Sequence, residues 1–247
     1  MEILSKIRHI SLREQVAEEI RTAIIEGRLR PNDHIPEIAL TEQLGVSRTP
    51  VREALILLER EALVVSVPNR GCFVRAFNEE DVGNIFSMRT TLENFAAEII
   101  IDKLTTKELD HLQDLIERQR SYVAQNDFKL LRSADMAFHQ FLTSFSNHPM
   151  LMRSWQEIVA QVAALLYLRA EYYPNYDEFL AIRDHQGILD AYRVRNLDEV
   201  KAENLRINER VAGECREAVR HVAQAQLQEG AAKAATARTA LRSRIRA

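Results

Sequence analysis

The stretch that decides the fold is "LTEQLGVSRTPVREALILLEREALV" at 40–64, which is followed closely by "PNRGCFV" at 68–74. Its first part predicts a short helix that ends at Gly45, because glycine readily adopts the left-handed conformation found at many helix ends. A second helix follows, with Ser47 as N-cap and Pro50 in the first turn, where a missing amide hydrogen removes no intrahelical bond. Beyond it, β-branched residues on both sides of an Asn-Arg-Gly turn predict a β-hairpin.

A longer helix is predicted ahead of this stretch, in "SLREQVAEEIRTAIIEG" at 11–27. Ser11 and Glu14 have the spacing of a capping box at its start, and Gly27 stands where it ends. Helix, short helix, turn, helix and hairpin, in that order, form the layout of a winged helix-turn-helix. We therefore expect a DNA-binding domain over residues 1–76, with three helices and a β-hairpin wing.

The helix that begins after Ser47 separates an apolar face from a polar one. Val51, Leu55 and Leu58 share the inward face. The N-terminus of such a helix enters the major groove, where arginine can bond guanine and small hydroxyls can hold phosphates. The alternative is a surface helix with two solvated arginines. The candidate DNA contacts are Ser47, Arg48, Thr49 and Arg52 on the helix, and Arg70 and Gly71 at the hairpin tip.

Composition favours a packed cytoplasmic protein. The chain has 247 residues, of which 46% are hydrophobic and 28% charged. It has no run of 18 apolar residues, and its opening "MEILSKIRHI" is too charged for a secretory signal, so we expect no membrane partner. Cys72 and Cys215 are far apart and lack CxxC spacing, which argues against a disulfide framework and a thiolate metal site.

The net charge of −3 is distributed unevenly along the chain. Residues 1–76 are neutral, residues 77–224 are acidic, and residues 225–247 are basic. A polyanion such as DNA would therefore prefer the first segment or the tail to the middle.

Helical periodicity dominates from residue 77 to about residue 224, with no strand signal and little glycine or proline. The fold class is therefore mainly α, with an all-α bundle at 77–224 behind the winged domain. The Ala-rich basic segment 225–247 either extends the last helix or forms a frayed tail. The six predicted helices lie near 79–102, 106–125, 127–146, 149–172, 176–194 and 197–224.

Polar side chains interrupt the apolar stripes of five of these helices. Isolated buried charges destabilise a protein by roughly several kcal/mol each. A shared polar cavity inside the bundle explains them better, because facing helices can then satisfy one another and a ligand. The inward polar residues are Arg89 and Glu93, Asp135 and His139, Arg169, His185, and Asn204 with Asn208 at the margin.

Asp135 and His139 have the spacing of a metal-binding pair. Placed four apart on a helix, they can reach one ion from adjacent turns, and His185 can add a second imidazole from a facing helix. Carboxylate and neutral imidazole suit a borderline divalent ion such as Zn²⁺ or Ni²⁺. Two alternatives stay open: a hydrogen-bonded Asp135–His139 pair without metal, and a structural Arg89–Glu93 ion pair. His111, His148 and His221 show no comparable placement.

The string "GVSRTPVREAL" at 45–55 resembles the DNA-binding signature of the GntR family of bacterial transcription regulators. The resemblance covers residues 10–76, and the helical remainder resembles the FCD ligand-binding domain of the FadR subfamily. The sequence departs from the pattern at Ile38, where some relatives have an arginine that touches DNA. The resemblance implies DNA contacts by Ser47, Arg48, Thr49, Arg52 and Gly71.

Many FCD domains bind a divalent metal through an Asp-x-x-x-His pair, a later His and a last His. Asp135, His139 and His185 match the first three, whereas Ile207 stands where the last is expected. The neighbouring Asn208 is a candidate fourth ligand, although an amide oxygen is a poorer zinc ligand than imidazole. The resemblance thus implies either a metal held by three protein ligands plus effector and water, or no metal.

The effector of this family is typically a small organic acid, which implies a carboxylate site. Arg89 and Arg169 are candidates for a bidentate clamp, because guanidinium groups pair with carboxylates in that way. Glu93 and Asn204 are expected at the same site.

The sequence thus predicts a ligand-responsive regulator that binds operator DNA as a homodimer. Family resemblance implies a repressor of a catabolic operon that the effector releases. One alternative is a metal-responsive regulator in which the ion itself is the signal. A metal-dependent hydrolase is a second alternative, but it leaves the DNA-binding domain unexplained, so we expect no enzyme activity.

Overall fold

The computed structural model describes residues 11–245, with side chains described through residue 228. Residues 1–10 of the predicted DNA-binding domain and residues 246–247 of the predicted tail lie outside the described residues. The elements of the first domain are α1 (Leu12–Ile25), β1 (His34–Ile35), α2 (Glu37–Leu44), α3 (Arg48–Arg60), β2 (Val64–Val67) and β3 (Gly71–Val74).

The wing is a three-stranded antiparallel sheet in the order β1-β3-β2. The predicted hairpin is confirmed, with Val64 of β2 opposite Val74 of β3. The prediction of a hairpin alone was incomplete, because His34 also pairs with Phe73 and brings β1 to the other edge of β3. A strand of two residues shows no alternation in the sequence, so only its pairing reveals it.

Local signals place the helices of this domain as expected. The capping box at the start of α1 is present, with the Ser11 backbone N–H donating to Glu14 at 2.9 Å. Gly45 ends α2 in the left-handed conformation, with φ of +63°. The small core between α1 and α3 contains Val16, Ile20, Val51, Ala54 and Leu58.

The second domain contains the six predicted helices, and the first five lie within a few residues of their expected bounds. The last helix begins at Leu197 as expected and continues to Ile245, so the basic segment extends this helix, which is one of the two alternatives for it. The helices are α4 (Glu79–Ile100), α5 (Thr106–Ala124), α6 (Phe128–Phe145), α7 (Pro149–Tyr172), α8 (Phe179–Arg193) and α9 (Leu197–Ile245).

The bundle packs around α4, α6, α8 and α9. Helix α4 lies along α9, and α6 contacts α4, α5 and α7, while α8 packs against α5 and α9. Phe138, Trp155 and Tyr192 are the largest fully buried side chains of this core. Among the described residues, no helix combines the length and apolar composition needed to cross a membrane.

The winged domain contacts the bundle along α7 and the far part of α9. The turn at Gly27 lies directly against the ring of Tyr167. Gln226 of α9 donates to the Pro31 carbonyl at 2.8 Å and accepts from the Asn32 amide at 2.7 Å. These contacts fix the turn between α1 and β1 against the helical domain.

Two glycines allow a test of this junction. Gly27 and Gly45 both have positive φ, but a methyl group at Gly27 would overlap Tyr167, whereas the space at Gly45 is open. We expect Gly45→Ala to lower the free energy of unfolding by about 1–2 kcal/mol, the cost of left-handed alanine. Gly27→Ala should cost more, because Tyr167 must also move. Urea unfolding measures the free energy of unfolding of both variants. Equal losses in the two would contradict the contact between Gly27 and Tyr167.

Candidate functional site

The predicted DNA-contacting residues form one exposed surface at the start of α3 and the tip of the wing. All six positions are exposed to solvent. Ser47 is the N-cap of α3, but its hydroxyl makes no capping hydrogen bond, so it is available to an external acceptor or donor. Arg48 forms no ion pair with any residue that the structure describes.

Two other arginines of this surface are held by neighbours. Arg52 donates to Glu37 at 2.8 Å, which connects α3 to the first residue of α2. The Arg70 guanidinium lies 5.8 Å from the ring centre of Phe73, so the wing's own aromatic residue supports it. An exposed ion pair of this kind is worth only about 0–1 kcal/mol, so DNA phosphate can replace Glu37 as the partner of Arg52.

Inside the bundle, Asp135, His139 and His185 meet as predicted. Their ligand atoms lie within 4.8 Å of one another. His139 of α6 and His185 of α8 place their Nε2 atoms 3.1 Å apart, and an Asp135 oxygen lies 3.5 Å from the His185 Nε2. Both imidazoles are buried, and Asp135 is the partly exposed member.

Each imidazole is oriented through its other nitrogen. The Nδ1 of His139 lies 2.8 Å from a Glu93 carboxylate oxygen, and the Nδ1 of His185 lies 2.7 Å from the Gln119 side-chain oxygen. Both oxygens only accept, so each Nδ1 carries the hydrogen and each Nε2 keeps its lone pair. This is the orientation that metal-ligating histidines take from their supporting acceptors.

Two of the three separations between the ligand atoms fit a small divalent ion, and the third is within 4.8 Å. Two nitrogens bound to zinc at about 2.05 Å with a tetrahedral angle are about 3.3 Å apart, from standard zinc geometry. The observed 3.1 Å between the nitrogens and 3.5 Å to the carboxylate oxygen bracket that value. Two lone pairs this close repel each other unless a cation or a proton lies between them. The donor set therefore suits Zn²⁺ or Ni²⁺.

Charge and burial together set the protonation of the cluster. Burial lowers the pKa of His185 to about 3, so its imidazole is neutral near pH 7 and can bind a metal. Burial alone would raise the pKa of Asp135, but the neighbouring His185, His139 and Arg89 lower it overall. Glu93 behaves likewise, because Arg89 and His139 outweigh the effect of burial and hold its pKa below the usual range.

The cluster opens into a polar cavity of about 40 Å³, which is enough for an ion and a few waters. Arginine is the commonest side chain around it. The Nε groups of Arg169 and Arg210 are buried and have no hydrogen-bond partner within the described part of the chain. Unsatisfied donors of this kind suit an incoming anion. The polar lining consists of Arg89, Arg132, Asp135, His139, Arg169, Glu178, Asp184, His185 and Arg210.

Not every predicted site residue reaches this cavity. Glu93 lies behind the cluster, between Arg89 and His139, rather than on the lining. Asn208, the candidate fourth ligand, donates to Glu93 at 2.8 Å, so it supports the carboxylate instead of joining the three ligand groups. Asn204 donates to Asn94 at 3.0 Å and is also absent from the lining.

Ile207 does line the cavity, at the position where the resemblance led us to expect a histidine. Its aliphatic side chain supplies no ligand atom. The protein groups therefore number three, and a fourth position would fall to water or to a bound molecule.

Sequence reasoning missed Arg132 and Arg210 of the cavity lining, and Gln119, which supports His185 from outside the lining. Arg210 follows Ile207 by three and therefore shares its helix face, and Arg132 precedes Asp135 by the same interval. Gln119 is fully buried and continues the apolar stripe of α5, the helix for which no inward polar residue was predicted. These spacings were readable signals, but charged residues beside a stripe are usually solvated.

Comparison with known proteins identifies both domains. The model of the gntR family of bacterial regulatory proteins matches residues 12–74, and the FCD domain model matches residues 84–210. The chain therefore belongs to the GntR family of transcription regulators, with an FCD domain as its second part. This confirms the predicted fold class and excludes the hydrolase alternative, because the family and its relatives are regulators and not enzymes.

Two of the similar proteins are from bacilli. The chain is 26% identical to the uncharacterized HTH-type transcriptional regulator YdhC of Bacillus subtilis, over 76% of this chain and 83% of that protein. It is 27% identical to the gluconate operon transcriptional repressor of Bacillus licheniformis, over 74% of this chain and 76% of that protein. The solved structure of Escherichia coli McbR/YncC, 23% identical, has the same fold, with a TM-score of 0.73 over 85% of this chain and 99% of that one.

The buried charge network gives a direct prediction. Glu93→Gln should lower the free energy of unfolding by about 3 kcal/mol, because it leaves the buried Arg89 without its counter-charge. Glu98→Gln is the matched control on the same helix, since Glu98 is exposed and pairs with Lys201 at the surface. The free energy of unfolding of Glu98→Gln should fall by no more than about 0.5 kcal/mol. Denaturant unfolding measures both, and similar losses would refute a stabilising role for the network.

Proposed function

We propose that this protein is a repressor that binds operator DNA as a homodimer and is controlled by a small carboxylate held beside a divalent metal ion. The observation that carries the proposal is the polar cavity, in which three metal-ligand groups lie next to arginines with unsatisfied donors. A winged helix-turn-helix with its recognition surface exposed stands on the same chain. A relative named as the repressor of a gluconate operon supports control of a catabolic operon.

The carboxylate would enter between Arg169 and Arg210. Glu214 pairs with both guanidinium groups and Asp184 also pairs with Arg210, which neutralises much of their charge. Their Nε donors have no hydrogen-bond partner among the described residues. A carboxylate oxygen could also occupy the metal position that Ile207 leaves open. Zn²⁺ or Ni²⁺ on Asp135 and the two imidazoles would supply a positive charge that orients the acid.

The rest of the effector would extend into an adjoining aromatic recess of about 230 Å³. The recess shares Arg132 and Glu178 with the polar cavity, and the Tyr176 ring lies 4.4 Å from the Arg169 guanidinium carbon. Burial raises the pKa of Glu178, so this acid opposes an incoming carboxylate less than an exposed glutamate would. A small acid with a polyhydroxy or aromatic body fits this combination of spaces.

The homodimer would place two recognition helices on a two-fold related operator. Exposed apolar residues on the bundle support a subunit contact, among them Met88 and Phe95 on α4 and Met150 at the start of α7. Effector binding would change the relative placement of the two DNA-binding domains and thereby the operator affinity. Linkage then requires operator DNA to change effector affinity by the same factor.

Operator binding is tested on the DNA upstream of the protein's own gene by fluorescence anisotropy with non-specific competitor. We expect sequence-specific binding, and Arg48→Ala should weaken it by about 1–3 kcal/mol, or about 5- to 150-fold, as for loss of a base contact. Arg60→Ala is the matched control, because this exposed arginine lies at the opposite end of α3. A chain that shows no preference for its upstream DNA over competitor would overturn the proposal.

The effector site is tested by a thermal-shift screen of small carboxylates, sugar acids included, with and without Zn²⁺ or Ni²⁺. A hit should raise Tm more when metal is present, because metal and acid stabilise the same folded state. Arg169→Ala and His139→Ala should each abolish the shift, whereas Arg183→Ala, an exposed arginine on α8, should keep it. If both site variants kept the thermal shift, the effector would bind elsewhere on the protein.

Measurement of operator affinity on the same protein distinguishes a metal that acts as a cofactor from a metal that acts as the signal. If the ion itself were the signal, operator affinity would differ between chelator-treated and zinc-loaded protein without any acid. If the metal is a cofactor, we expect the two preparations to differ little in operator affinity until the carboxylate is added.

A further inference from the structure

A large cleft lies between the DNA-binding domain and the bundle, outside the polar cavity. It encloses about 840 Å³ and is lined by the C-terminal half of α1 and by facing stretches of α6 and α7. This volume is within the range of small-molecule sites, which is about 300–1,000 Å³. The polar cavity, at about 40 Å³, is far smaller.

The walls of the cleft are mainly apolar. Ile25 of α1 faces Met136 of α6, and Val159 and Ala163 of α7 complete the surface. Leu166 belongs both to this wall and to the wall of the polar cavity, so the two spaces are neighbours on opposite sides of one side chain. Such a surface suits an apolar ligand body.

Most charges around the cleft are already compensated. Arg21 donates to Glu61 with bonds of 2.6 and 2.8 Å, and Lys129 pairs with Glu26 at 2.5 Å across the two domains. These four groups therefore add little net charge.

Arg132 is the exception among the lining residues. It is half-buried on α6 and forms no hydrogen bond or ion pair with any residue that the structure describes. It also lines the polar cavity and the aromatic recess, so it stands where all three spaces meet. A half-buried guanidinium that lies beside apolar walls, and has no hydrogen-bond or ion-pair partner among the described residues, is complementary to an amphipathic anion.

We propose that this interdomain cleft is a second ligand site, distinct from the polar cavity, for a molecule with an apolar body and one carboxylate that pairs with Arg132. The apolar body lies along Val159, Ala163 and Ile25, and the carboxylate points toward α6. Because the ligand contacts both α1 and the bundle, its binding affects the placement of the DNA-binding domain. By linkage, operator DNA then alters the affinity of this site.

The site is tested on the full chain by isothermal titration with octanoate, which supplies an apolar body and a carboxylate. Octanol lacks the charge and acetate lacks the body, so both should bind at least tenfold more weakly. Titration without DNA makes the result independent of operator binding, and a parallel anisotropy measurement on operator DNA with octanoate reports the coupling.

Two pairs of variants locate the binding. Ala163→Phe fills the cleft and should reduce octanoate affinity at least tenfold, whereas Ala202→Phe, at an exposed position of α9, should not. Arg132→Gln should remove the preference for octanoate over octanol, whereas Arg153→Gln, exposed on α7, should keep it. If Ala163→Phe fails to fold, Gln156→Trp replaces it, because Gln156 is an exposed residue that lines the cleft and neither the polar cavity nor the aromatic recess.

His139→Ala distinguishes this site from the proposed effector site, because His139 lines only the polar cavity. Octanoate binding that survives His139→Ala and is lost in Ala163→Phe supports the proposal. Loss in His139→Ala with retention in Ala163→Phe would place octanoate in the polar cavity and overturn it. Absence of octanoate binding to the unmodified chain would overturn it as well.

Discussion

Two imidazole nitrogens that face each other at 3.1 Å impose the constraint around which the helical domain is organised. His139 is held by Glu93 and His185 by Gln119, so α4, α5, α6 and α8 converge on this pair. Facing lone pairs repel, and only a cation or a proton between them makes the arrangement favourable. Arg89 in turn neutralises Glu93, so the support of the imidazoles is itself a buried and compensated network.

The polar cavity beside this network adjoins the cleft between the DNA-binding domain and the bundle. Leu166 and Arg132 each have one side toward the polar cavity and another toward the interdomain cleft. Tyr167, next in sequence to Leu166, packs against the turn at Gly27. Packed interiors transmit small displacements, so the proposed control by an effector would run from the cavity wall through Leu166 and Tyr167 to this turn.

Much of the candidate site was predictable from residue spacing. The i, i+4 relation of Asp135 and His139 within an apolar stripe, together with the inward-facing His185, correctly indicated that the three would meet. The hydrogen-bond partners of this cluster were harder to predict from the sequence. Gln119 was missed because its helix was not expected to contribute, and Asn208 proved to support Glu93 instead of the cluster.

The sequence by itself determined the order of the two domains, most of the helix bounds and most of the residues that face inward. These depend on capping, turn residues and 3.6-residue periodicity, which act over a few positions. Only the tertiary structure decided which polar atoms meet. The two imidazoles are 46 positions apart, and Glu93 and Asn208 are 115 apart. Periodicity gives the face of a helix on which a side chain lies, but the partner it meets there depends on how separate helices pack.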